Sequence, residues 1–336
     1  MIRSSRSPFK GLIILPEYMP THHDRICGAV LASALGDAFG APYEGGVLEQ
    51  LLWRILGRKQ GKRRWTDDTQ MSVDVIESLL ACKRVNQDDL AQRFAQSYRW
   101  SRGYGPGAAK LLKRIRQGEP WQLAHRAIYA NGSFGNGGAM RAAPLGLFYG
   151  AEEREKLIQA VQAATRITHA HAVGLDGAVV IAVSVALVSQ GASALDIVQQ
   201  VRLSLETVDI LNRLAVAEQL LLPTLSPAPP QLVARELGNG IRAKDSCVTA
   251  LYIGLALREA PFSGLLSYTR AVGGDTDTIG AMAGAIWGAA CGYRQLPEKL
   301  LQELEQRQYL ERLARRFAEA VVQMDGQGSG PSSEGI

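Results

Sequence analysis

The chain has 336 residues, 46% of them hydrophobic and 21% charged, a composition ordinary for a soluble globular protein and long enough for a sizeable core. Its formal net charge of +5 is too mild at this length to argue for nucleic acid, and none is expected as a stable partner. Cys27, Cys82, Cys247 and Cys291 have neither the close pairing of a metal site nor the density of a disulfide scaffold. They read as buried free thiols in a reducing compartment, so a cytoplasmic location is expected.

Taken in chain order, residues 1–23 read as an irregular N-terminal extension. Its apolar run, 11–15, is short for a secretory signal and no small-residue cleavage site follows, while the scarcity of acidic residues leaves a transit peptide open. Gly28 to Gly40 is apolar on all sides and rich in Ala and Gly, as a helix in the centre of a large helical fold would be. Glu44 follows in a turn whose Pro42, Gly45 and Gly46 suit a mobile flap. The basic run Arg58 to Arg64 reads either as a solvated loop or as a patch that attracts a polyanionic substrate.

Beyond it the apolar residues recur at helical spacing over 71–80, 90–100, 108–116, 153–167, 195–204 and 208–221. Gly177 to Ser189 and Ile279 to Cys291 are again apolar all round. In the second of these Gly280, Gly284 and Gly288 recur every four residues, lining one face and permitting close approach of a neighbouring helix. Glu298 to Met324 is charged and amphipathic, an outer helix or pair of helices. No alternating strand pattern and no βαβ unit is found, so the fold is expected to be all-α. The sequence reads as having no apolar stretch of the roughly 18–20 residues needed to cross a bilayer, so no membrane partner is expected. The Pro-rich segment 223–230 looks like a linker, but motifs on either side of it need each other. The expected organisation is therefore one domain, 24–324, followed by a disordered Gly/Ser/Pro tail, 325–336.

Those motifs are acidic. Thr66-Asp67-Asp68-Thr69 precedes a helix starting near Met71, and Gly273-Gly274-Asp275-Thr276-Asp277-Thr278 precedes the apolar helix of Gly280. Asp and Thr there can be helix caps. Four aspartates exceed what two helices need, however, and gathered beside an apolar helix they would repel. Two divalent cations would balance them, and an all-oxygen donor set fits Mg²⁺ rather than Zn²⁺. Between the two motifs, Gly132-Ser133-Phe134-Gly135-Asn136-Gly137-Gly138 is a Gly-rich loop that enters a helix, where exposed N–H groups favour phosphate. It lacks the Lys-Ser/Thr pair and the preceding strand of a nucleoside-triphosphatase loop.

Together with Gly28 to Gly40 and Glu44, with Gly135 to Arg141 and with Thr168-His169, these segments resemble the ADP-ribosylglycohydrolase family in order and over most of the chain. The resemblance implies a single large orthogonal helical bundle. It also implies two Mg²⁺ ions, with Mn²⁺ as a substitute, held by Thr66, Asp67, Asp68, Asp275, Asp277 and Thr278. It implies that Ser133 contacts phosphate, that Phe134 stacks on adenine unless it is ordinary core, and that His169 hydrogen-bonds the ligand unless it is simply a buried histidine. Gly135, Asn136 and Gly137 belong to the same ligand loop, and the 102–107 loop with Gly105 lines the cleft.

Cleavage of an ADP-ribosyl bond passes through an oxocarbenium-like state that needs nearby negative charge, an activated water and a fixed ribose. Glu44 is the candidate acid/base or gate, with Asp277 as the rival base. Arg102 to Gly105, Ser133 to Arg141 and Leu237 to Ile241 resemble the ADP-ribosyl-serine hydrolase branch most. Release of ADP-ribose from an O-linked serine or a related conjugate is therefore the expected activity of a monomer. Hydrolysis of the N-glycosidic bond to arginine, and a non-catalytic ADP-ribose-binding relative, are the alternatives.

Overall fold

The helical periodicity becomes sixteen α-helices within the described residues, which are 18–45, 50, 51, 53, 55, 57–222 and 226–328 of a computed structural model. They are α1 (His22–Gly40), α2 (Asp67–Cys82), α3 (Gln87–Ser97), α4 (Pro106–Arg116), α5 (Trp121–Ile128), α6 (Ala143–Tyr149), α7 (Arg154–Arg166) and α8 (Ala172–Ser189). There follow α9 (Ala194–Arg202), α10 (Val208–Leu221), α11 (Pro230–Leu237), α12 (Ala243–Ala256), α13 (Phe262–Val272), α14 (Thr276–Cys291), α15 (Glu298–Glu303) and α16 (Arg307–Gly328). The fold is all-α. Residues 1–17 of the expected extension and 329–336 of the expected tail lie outside the described residues, and α16 itself runs four residues past 324.

The basic run is not a plain loop. Arg58–Lys59 and Lys62–Arg63 pair antiparallel, with Gln60 and Gly61 both at positive φ (52° and 77°), the backbone of a tight two-residue hairpin turn. Arg63 meets Glu303 at 3.0 Å, which ties the hairpin to α15.

Helices α1, α8, α12 and α14 form the centre, with most of their residues buried. By its length and apolarity α8 could cross a membrane, contrary to the reading of the sequence, and so could residues 22–43. Burial within the fold accounts for that character, since 83% of the α8 stretch lies inside the protein. The closest packing is between α1 and α14. Gly280 lies against the Gly36 backbone, Gly284 against Ala32 and Gly288 against Gly28, while Gly40 lies against Thr276. The expected glycine face of α14 thus meets a second glycine face on α1, and the order of the contacts makes the two helices antiparallel. At the far end Arg25 donates to the carbonyls of Val188, Ala289 and Ala290, covering the C-terminal ends of α8 and α14. The antiparallel seam has one result that matters for chemistry. It brings the C-terminal turn of α1, with Asp37, to the N-terminal turn of α14, with Asp277 and Thr278.

Candidate active site

Asp37 is a lone carboxylate in an apolar helix, fully buried. Its Oδ1 accepts from Thr66 N at 3.0 Å, and its Oδ2 accepts from Thr66 N at 2.9 Å, Thr69 N at 3.1 Å and Thr69 Oγ1 at 2.5 Å. Burial nevertheless holds its carboxyl above the usual range, against those hydrogen bonds. Through Asp37 the first turn of α2 is fastened to α1. That turn begins at Asp67, earlier than the apolar periodicity suggests, because its polar residues face the site and not the core.

Thr66 is the N-cap of α2, accepting from Asp68 N at 3.2 Å and donating from Oγ1 to Asp68 Oδ2 at 2.9 Å. So the capping role is real for Thr66. It does not extend to Asp275, which occupies the N-cap position of α14 without a side-chain cap bond. Gly273 and Gly274, at φ 71° and 77°, turn the chain so that Asp275 stands outside the helix and Asp277 within its first turn. This is how two acids two residues apart converge. Carboxylate oxygens of Glu44, Asp275 and Asp277 come within 4.8 Å of one another, and so do those of Asp37, Asp68 and Asp277. Thr278 Oγ1 donates to Asp68 Oδ2 at 3.5 Å, joining the two motifs across 210 residues. Glu44 is half-buried, whereas Asp68, Asp275 and Asp277 are buried.

This gathering of acids is electrostatically costly. Removal from water pushes the Asp67, Asp68 and Asp277 carboxyls well above the usual carboxylate range. The neighbouring acids add to it, chiefly Asp37 for the first two and Glu44 for Asp277. Asp68 Oδ1 is buried with no hydrogen-bond partner. A buried acceptor in that condition needs a cation or a proton. The Thr66, Thr278, Asp37 and Asp277 side chains that meet this carboxylate offer hydroxyl and carboxylate oxygens, so the donor set fits a hard divalent ion.

The Gly-rich loop adjoins this cluster through Asn136. Its Nδ2 donates to Asp275 Oδ2 at 2.5 Å and to Ser246 Oγ at 3.0 Å, and its N–H donates to Ile241 O at 3.0 Å. Gly135 bridges to Arg242, and Ala243 N donates to Phe134 O at 3.0 Å. The loop is therefore strapped to the start of α12. Phe134 is 49% exposed, which rules out ordinary core; its ring meets His171 edge-on at 6.0 Å, and the Arg242 guanidinium lies 5.5 Å above it. Ser133 Oγ accepts from Gly135 N at 3.3 Å. His169 lies behind Gly135 and Gly137, both too close to its ring to carry a side chain without displacing it. In the 102–107 loop it is Gly103, at φ 86°, that abuts the cluster, where a Cβ would stand 3.5 Å from Asp67 Oδ1. Gly105 is the exposed N-cap of α4, with open space around it.

All six expected metal-binding positions and Glu44 thus gather in one cluster, which the Gly-rich loop adjoins through Asn136. Residues given no role from sequence also belong there. These are Asp37, which organises α2; Ser246, which holds Asn136; and Asn239, whose carbonyl accepts from Asp275 N at 2.8 Å. The lone Asp in an apolar helix was a signal for the first. The other two depend on contacts that no local pattern announces.

This all-α chain, with two acidic motifs gathered on a glycine-packed helix pair, belongs to the ADP-ribosylglycohydrolase family, whose model matches residues 19–326. Among curated relatives, "ADP-ribosylhydrolase ARH3" of Danio rerio is 34% identical over 315 residues, covering 81% of this chain and 84% of the relative. The protein of that name from Homo sapiens is 33% identical over 327 residues, covering 84% and 89%. A solved structure titled "ADP-ribosylglycohydrolase-related protein complex" superposes with a TM-score of 0.65 at 25% identity, covering 89% of this chain and 98% of that one.

Proposed function

We propose that this protein hydrolyses the ADP-ribosyl glycosidic bond with two Mg²⁺ ions bound at the acidic cluster, releasing ADP-ribose from O-linked serine on a modified protein. The observation that carries the reading is the meeting of the two acidic motifs: Thr278 Oγ1 on Asp68 Oδ2, with Asp68 Oδ1 buried and unpartnered beside it. Thr66, Asp67, Asp68, Asp275, Asp277 and Thr278 would hold the ions, Asp277 standing between the two carboxylate groups. Bound Mg²⁺ supplies Lewis-acid fixation of ribose hydroxyls and acidification of a water.

The chain's own residues do the rest. Glu44, less buried than Asp275 and Asp277 and next to both, would exchange a proton with the leaving oxygen or the attacking water. Asp275 is held by Asn136, which couples the cluster to the loop that would receive the diphosphate. Phe134, exposed beneath Arg242, offers a face for adenine. The relatives named above support ADP-ribosyl hydrolysis, and the serine preference rests on the segments 102–105, 133–141 and 237–241, which resemble the ADP-ribosyl-serine hydrolase branch.

The test offers serine- and arginine-ADP-ribosylated peptides with and without Mg²⁺ and identifies the product by mass. Metal-dependent ADP-ribose release from serine is expected, with Glu44→Gln slower by about 10²–10⁴-fold. Release from arginine alone would move the protein to the other branch. Binding of ADP-ribose without turnover would make it a reader, and AMP as product would make it a phosphohydrolase.

A further inference from the structure

Behind the Gly-rich loop lies a chain of three polar side chains. Arg141 is buried, stacked on Phe94 at 4.6 Å, and donates from Nη1 to Gly137 O at 2.8 Å and from Nη2 to Thr168 Oγ1 at 2.7 Å. Thr168 Oγ1 in turn stands 2.7 Å from His169 Nδ1. Thr168 is buried as well.

Donor and acceptor roles along this chain follow from valence. A guanidinium has only donors, so Thr168 Oγ1 accepts from Arg141. The hydroxyl's own proton then needs an acceptor, and the one acceptor in reach among the described residues is His169 Nδ1. That nitrogen must be bare, which puts the ring proton on Nε2. Burial, then the charge of Arg141, then His125, push His169 down to about 3, which keeps the ring neutral as this arrangement requires. Nε2 faces the loop: a Cβ built on Gly135 would be 3.2 Å from it and one on Gly137 3.1 Å. No hydrogen bond from Nε2 is formed within the described residues.

We infer that Arg141 and Thr168 are positioning residues that lock His169 as an Nε2–H donor, aimed at an oxygen acceptor of the ligand held over Gly135–Gly137. Arg141 has a double hold on that subsite, through the Gly137 carbonyl on one side and through Thr168 on the other. The inference rests on the ADP-ribose reading only for the identity of the ligand, since the tautomer is a property of the free protein.

Two measurements test it. Ring ¹⁵N shifts of histidine-labelled protein, with His169→Gln for assignment, should show a single Nε2–H tautomer for His169 without ligand; an Nδ1–H ring or an imidazolium at neutral pH would overturn the inference. In Thr168→Val the ring should become a mixture of tautomers, and ADP-ribose affinity by calorimetry should fall about 10-fold, while Thr168→Ser restores both. Unchanged tautomer and affinity in Thr168→Val would equally overturn it. If the wild-type protein bound no ADP-ribose, the proposed function would fail, and the ¹⁵N shifts would still decide the relay.

Discussion

Asp74 lies on α2 six residues after Asp68 and is buried, its Oδ2 accepting from Ser97 Oγ at 2.5 Å. Burial pushes its carboxyl up to about 7 despite that hydrogen bond, with Glu77 adding and Arg93 and Arg141 opposing. In the unfolded chain the same group titrates near its ordinary value of about 3.9. Between about pH 4 and pH 7 the folded protein therefore binds the extra proton, and its contribution is present at the acid end and lost as pH rises through 7. Asparagine keeps the acceptor for Ser97 and has nothing to ionise. Asp74→Asn should thus gain on the wild type by about 3 kcal/mol between pH 4.5 and pH 8, read from urea melts across pH. Parallel pH profiles for the two proteins would contradict the shift.

At the scale of elements the decisive contact is the α1–α14 seam. A methyl on Gly36 would sit inside the Gly280 carbonyl, and one on Gly284 inside the Ala32 carbonyl. Backbone on both sides leaves no flexible side chain to move aside, so the helices must separate. Gly36→Ala or Gly284→Ala should cost about 3 kcal/mol or more of stability, and should weaken Mg²⁺ binding because Asp37 leaves Asp277. Gly264→Ala on α13, where the nearest atom to the new methyl would be 3.9 Å away, is the control and should be neutral or slightly stabilising. Denaturation and metal titration of the three variants check both effects; equal stability in all three would show that the seam can open.

The seam also shows what was legible in advance. The Gly280-Gly284-Gly288 face and the apolar character of α1, α8 and α14 stood in the local pattern, and so did the two acidic motifs. Central α12 did not. Asp245, Ser246, Thr249 and Tyr252 interrupt its apolar run, and they are tolerated because distant groups bond them: Ser246 holds Asn136, and Thr249 Oγ1 donates to Gly238 O at 2.7 Å. Asp37 carries no local mark of its partner either, since the turn it fastens is about thirty residues away in sequence and reaches it only by packing.

Over the whole molecule, the acidic cluster joins residues from Asp37 to Thr278, so whatever neutralises it acts on the stability of the entire fold. Without a cation, Asp37, Asp67, Asp68, Asp275 and Asp277 are all held above the usual carboxylate range by burial. Below neutral pH protons can relieve that repulsion, whereas at higher pH ionisation of these groups opposes folding. A divalent ion that binds only the folded chain removes the penalty and adds RT ln(1 + [L]/Kd), about 2.7 kcal/mol at a hundred times Kd. Mg²⁺ should therefore raise the melting temperature by several degrees at pH 8 and by less at pH 5.5, where protons compete with it. Asp275→Ala/Asp277→Ala should melt higher than the metal-free wild type at pH 8, having lost two of the repelling charges, and should no longer respond to Mg²⁺. Calorimetric scans with EDTA and with Mg²⁺ at both pH values measure this. A double variant that still gained stability from Mg²⁺ would place the ion elsewhere in the protein.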